Sequence, residues 1–130
     1  MFLSETGVVK LGDFGLAVQL EHSLSRRGTT CGTPLYEAPE VFGEGGELKS
    51  DVWSLGMSVI TMAEGKHPFD GFSPWQVMNR VTNMSPPTLS SPSWSSDLVD
   101  FVGKCLVREP EKRASVNELM EVSVLSESYE

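Results

Sequence analysis

Apolar residues recur at helical spacing through the middle of the chain. Between Lys49 and Glu64, Val52, Leu55, Gly56, Val59, Ile60 and Ala63 follow the i, i+3, i+4 pattern. Trp53 and Met57 widen that stripe almost all the way round, which predicts a buried helix. Gly65 lies just past its end and suits the left-handed conformation in which helices often stop. A second helix is expected from Ser73, with its hydroxyl as N-cap and Pro74 at the first helical position. Its apolar period runs through Trp75, Met78 and Val81. A third begins around Ser96 and places Leu98, Phe101, Val102, Cys105 and Leu106 on one face. Ser115-Val116-Asn117-Glu118 has capping-box spacing and opens a fourth, with Leu119 and Met120 inward.

Near the N-terminus the pattern changes. Val8-Val9-Lys10-Leu11 is short, β-branched and bounded by Gly7 and Gly12, so it reads as a strand. Met1-Phe2-Leu3 is expected to pair with it across Ser4-Glu5-Thr6-Gly7. From Asp13 to Tyr36 no period persists, and a loop of that length in a small domain is functional or disordered. Pro86, Pro87 and Pro92 hold the segment before the third helix extended. The tail from Ser123 is polar and is expected to fray. The elements add up to a mainly α fold with a short N-terminal β-hairpin. One domain is expected over 1–122, followed by a polar tail, 123–130.

A chain of 130 residues suits a single domain and is long enough to bury a core. Its net charge of −8 argues against non-specific nucleic-acid binding, which needs clustered Lys and Arg. A groove for a basic peptide is still open. The two cysteines, Cys31 and Cys105, form neither a disulfide framework nor a zinc spacing, and a reduced, cytoplasmic setting is expected. The longest apolar stretch, Val52 to Ala63, is interrupted by Ser54, Ser58 and Thr61 and is too short to span a bilayer.

Four motifs occur in order: Val9-Lys10-Leu11-Gly12-Asp13-Phe14-Gly15, Gly32-Thr33-Pro34-Leu35-Tyr36-Glu37-Ala38-Pro39-Glu40, Ser50-Asp51-Val52-Trp53-Ser54-Leu55-Gly56 and Cys105-Leu106-Val107-Arg108-Glu109-Pro110-Glu111-Lys112-Arg113. Together they resemble the helical C-terminal lobe of a eukaryotic serine/threonine protein kinase over residues 1 to about 122. Val81 to Leu89, with Trp94-Ser95, is most similar to the sterile-20-type kinases.

The resemblance implies a job for each motif residue. Asp13 would hold Mg²⁺ against the phosphates of ATP, which needs a hard carboxylate oxygen. The plainer reading is an Asp in a Gly-flanked turn. Phe14 would pack inward and set the active or inactive state. Thr29 and Thr30 would be phosphorylated in the activation loop, with Arg26 and Arg27 as local partners; the alternative is a solvated polar loop. Gly32, Thr33 and Pro34 would form a shelf for the substrate residue after the acceptor. Cys31 reads as an ordinary thiol. Glu40 and Arg113 would form the ion pair that ties the activation segment to the helical base. Asp51 would brace the catalytic-loop backbone, or simply begin a helix. Glu37 stands where the family commonly has an apolar residue, and His22 and His67 read as loop residues.

A kinase also needs a Gly-rich loop over the phosphates, a strand lysine paired with a helix glutamate, and a His-Arg-Asp loop ending in Asn. This sequence contains none of them, so no catalytic residue is assigned and no activity is expected from the chain alone. ATP and Mg²⁺ belong to the complete kinase. Met1-Phe2-Leu3 resembles the end of the strand that the family places after its catalytic loop, so Met1 is expected to be an internal residue of a longer protein. Val122-Ser123-Val124 stands where the family has His-Pro-Phe. Without the remaining parts, Asp51 is expected to be left buried and unsatisfied at roughly 1–3 kcal/mol. Phe14 and the 49–64 helix would be uncovered, leaving a marginal domain. Three functions compete: part of an active kinase, a module that docks a protein substrate or regulator through the Trp75 helix and the 32–40 shelf, and a split kinase completed in trans by an N-lobe chain.

Overall fold

Helix α1, Ser50–Glu64, is the central post of the computed structural model, which describes residues 1–17, 34–43 and 47–122. Val52, Trp53, Gly56, Met57 and Ile60 are buried along one side of it, with Leu55 and Val59 packed at the margin. Ser58 and Thr61 sit inside the helix because each hydroxyl donates to the carbonyl four residues back, at 2.8 Å in both cases. The Ser54 hydroxyl reaches out to the Tyr36 carbonyl, also at 2.8 Å. Gly65 ends the helix with φ 67°, a conformation that costs a residue bearing a Cβ.

Helix α2, Pro74–Asn83, starts with a capping box. The Ser73 N–H donates to Gln76 Oε1 at 2.8 Å, and the Gln76 N–H donates to Ser73 Oγ at 3.4 Å. It packs on two short 3₁₀ turns, Pro34–Tyr36 and Pro39–Phe42. Its inward residues are Val77 and Val81, so the period expected through Trp75 is corrected. Trp75 lies in the first turn, off the Val77–Val81 stripe, and is 68% exposed.

Helix α3, Ser96–Cys105, buries Phe101, Val102 and Cys105 against α1. The approach is close because α1 has a glycine at the crossing. A Cβ on Gly56 would lie 2.7 Å from Cys105 Cβ and 2.9 Å from Leu106 Cδ2. Helix α4, Val116–Met120, opens with the Ser115–Glu118 capping box. Leu119 is buried as expected, but Met120 is 54% exposed, which corrects the inward reading of that residue. Neighbours on a helix point about 100° apart, and a five-residue helix here covers only one of them.

Residues 85–91 carry no regular element and run back along the end of α1. Glu64 holds them. Its carboxylate accepts from the Ser90 N–H at 2.8 Å, the Ser90 hydroxyl at 2.6 Å and the Trp94 indole at 3.1 Å. The Ser90 hydroxyl, followed by the other donors, lowers the Glu64 pKa. At the N-terminus, β1 (Phe2–Leu3) pairs antiparallel with β2 (Val9–Lys10), Phe2 opposite Lys10 and Leu3 opposite Val9. The second strand is shorter than the four-residue run that suggested it. The fold is the helical lobe with a two-stranded hairpin.

Candidate functional site

Arg113 is 1% exposed, and all five of its N–H donors are used. Nε donates to the Val107 carbonyl at 2.8 Å. Nη1 donates to Glu40 Oε1 at 2.7 Å and to the Lys49 carbonyl at 2.9 Å. Nη2 donates to Glu40 Oε2 at 2.9 Å and to the Arg108 carbonyl at 3.2 Å. The guanidinium lies over the Trp53 ring, 5.3 Å from its centroid. A planar fork with both carboxylate oxygens engaged is an arrangement for which lysine is no substitute.

Glu40 also accepts from the Ser50 hydroxyl at 2.7 Å. Burial alone would raise its carboxyl, but the bond and charge of Arg113 bring the pKa below the ordinary 4.5. Lys49 closes the ring by donating Nζ to the Arg113 carbonyl at 2.6 Å. The partners Ser50 and Lys49 were not found in the sequence, where both read only as the start of a helix. The result is a fastening between the Pro39–Phe42 turn, the head of α1 and the segment before α4.

Just upstream, Glu37, Ala38 and Pro39 are buried. Pro34, of the expected shelf, is half-buried in its turn. Beside it an apolar groove of about 230 Å³ is lined by Pro34, Leu35, Phe69, Phe72, Pro74 and Val77, among others. Exposed Trp75 sits next to Pro74 on the helix that forms one wall. His67 is 8% exposed, with its ring edge-on to Tyr36 at 4.7 Å between centroids. It is a loop residue, but a buried one.

Asp13, Phe14 and Gly15 lie at the end of the N-terminal arm. Asp13 has φ 65° and ψ 62°, the one non-glycine residue with positive φ among the described residues. Such outliers in non-glycine residues are uncommon and concentrate at working sites. Its carboxylate side is open to water. Phe14 is 67% exposed, so the inward packing expected of it is corrected. Asp51 is likewise exposed in the first turn of α1. The expectation that it would be a buried, unsatisfied acid is corrected. It lies off the buried side of α1 and reaches water. Thr29, Thr30, Gly32 and Thr33, with Arg26, Arg27, Cys31 and His22, lie outside the described residues.

No three His, Cys, Asp or Glu side chains converge in a way that could hold a metal among the described residues. A lone carboxylate such as that of Asp13 would suit only an ion held jointly with other groups. No helix among the described residues is long and apolar enough to cross a membrane.

The model of the family described as "Protein kinase domain" matches residues 1–125. Serine/threonine-protein kinase hippo of Drosophila melanogaster is 42% identical over 123 residues, covering 93% of this chain and 18% of that protein. Serine/threonine-protein kinase cst-1 of Caenorhabditis elegans is 41% identical over 123 residues, covering 93% of this chain and 25% of that protein. The chain thus spans a quarter or less of the length of these curated relatives.

Proposed function

The chain belongs to the protein kinase domain family, and from that premise we propose that it is the C-lobe part of a serine/threonine kinase. The complete protein would transfer the γ-phosphoryl group of ATP to Ser or Thr hydroxyls of a protein substrate. The observation that carries this reading is the Arg113–Glu40 fastening. It fixes the Pro34–Glu40 segment rigidly against α1, which is what a platform for a peptide substrate requires.

On this reading Asp13 supplies one oxygen to Mg²⁺, and the nucleotide phosphates supply others. Bound Mg²⁺ would offset phosphate charge during transfer. Thr29 and Thr30 are the activation-loop acceptors, and a phosphate there would order the loop through arginines. Gly32, Thr33 and Pro34 receive the residue after the acceptor. The kinase domain portion runs over 1–122 and 123–130 is a tail. Partners are a protein substrate or regulator and an N-lobe supplied in cis or in trans, in a cytoplasmic setting. By itself the chain is catalytically incompetent, because it has no general base and no phosphate-binding lysine.

A second reading is a non-catalytic docking module. It is favoured by exposed Trp75 beside the apolar groove. One experiment separates the two: the complete protein is assayed with Mg²⁺-ATP and a basic protein, with and without Asp13→Ala. Loss of transfer with an unchanged melting midpoint supports the kinase reading. Undiminished transfer would take Asp13 out of the metal site, and no transfer in either form leaves docking as the function.

A further inference from the structure

We propose that His67 is a proton-sensitive clamp between the Pro34–Tyr36 turn and the Lys66–Phe72 loop. The Phe69 N–H donates to His67 Nδ1 at 3.0 Å in a buried setting. That bond requires Nδ1 to be unprotonated, so it fixes the neutral ring with its proton on Nε2. Nε2 is buried toward the Leu35 carbonyl without a well-aligned bond. The ring is the middle of an aromatic row: Tyr36 at 4.7 Å, then Phe69 at 5.8 Å, and Phe72 at 6.4 Å from Phe69. Leu35, Phe69 and Phe72 of this assembly also wall the apolar groove.

Protonation would place a hydrogen on Nδ1 facing the Phe69 N–H, donor against donor. It would also create a charge where water barely reaches. The ionisable groups around the site do little to relieve this. On its own loop, Asp70 favours the charged ring but is itself paired with Lys66 at 3.8 Å. At the end of α1, Glu64 is held by Ser90 and Trp94. The turn side offers the Tyr36 phenol and Glu37. On α2, Arg80 lies 4.3 Å over the Phe72 ring and adds like charge. Burial is the first cause of the lowered His67 pKa and outweighs Leu35 and Asp70. A lowered folded pKa means stability that is complete above the ordinary value of 6.5 and is lost as pH falls below it. In acid the ring leaves its seat and the wall of the groove opens with it.

The test is NMR of the imidazole signals of the chain from about pH 8 to 5, with His67→Asn to assign them. The Asn oxygen can accept from the Phe69 N–H without titrating. His67 should titrate below 6.5, and the Tyr36 ring and Phe69 amide signals should move with the same midpoint. Between pH 6.5 and about 5 the melting midpoint should fall in the wild-type chain and stay level in the Asn variant. A His67 midpoint at or above the ordinary value, or stationary Tyr36 and Phe69 signals, overturns the proposal. So does a parallel fall in both proteins. The wild-type titration decides it even if the variant does not fold.

Discussion

In the helical body, Trp53, Arg113, Met57, Ile60, Val77 and Cys105 are sealed from solvent. In the arm formed by residues 1–17, Met1, Phe2, Leu3, Val8, Val9, Leu11 and Phe14 are each more than half exposed. The two regions do not differ in how apolar they are. They differ in what lies over them. The body is cross-tied by helices that cover each other's apolar sides and by an arginine that binds Glu40 and the Lys49, Val107 and Arg108 carbonyls. The arm is a hairpin with a two-residue ladder, too little to bury its own side chains. It nevertheless carries Asp13, the residue with a candidate role in phosphate chemistry. Cohesion and candidate chemistry are separated in this chain.

Substitutions should separate the regions sharply. The largest loss is expected from Glu40→Ala, which strands the buried Arg113 charge at ~3–5 kcal/mol, read by urea unfolding. Gly56→Ala follows, at about 1–3 kcal/mol, because its Cβ would press into Cys105 and Leu106. Acid should repeat the first effect. Since Glu40 titrates below its ordinary value, its contribution is present above pH 4.5 and is lost as pH falls below that. Glu40→Gln should flatten the fall in melting midpoint there. In the body, burial pushes the Cys105 thiol up to about 11. Its reaction with a disulfide reagent at neutral pH should be slow until the chain is denatured. The smallest effect is expected in the arm: Phe2→Ser or Phe14→Ser should stay within about 0.5 kcal/mol. A loss above 2 kcal/mol there would show that the arm is part of the cooperative unit and dissolve the contrast.

The body was the more legible region. Its helix starts are written in local chemistry: Ser73, Ser95 and Ser115 all cap through their own hydroxyls. Gly65 marks a stop in the same local way. The sides were harder. Periodicity identifies apolar residues but not the partner that covers them, so Phe14, Trp75 and Met120 were turned inward and are exposed. Long-range partners were harder still. Glu40 and Arg113 lie 73 residues apart and could be matched only through a family resemblance. Glu64 gave no signal, because its donors arrive 26 and 30 residues later. His67 read as a plain loop residue, since nothing nearby in sequence announces Tyr36 as its neighbour. The stretch with Thr29, Thr30, Gly32 and Thr33 is assigned through resemblance alone.

On the proposed reading this chain holds the scaffold and one metal ligand of a kinase, and phosphoryl transfer needs the parts it lacks. The direct measurement is transfer of labelled phosphate from Mg²⁺-ATP to a generic basic protein by the purified 130-residue chain. The account predicts incorporation no greater than that of an Asp13→Ala control. Transfer above that control, abolished by Asp13→Ala, would contradict it.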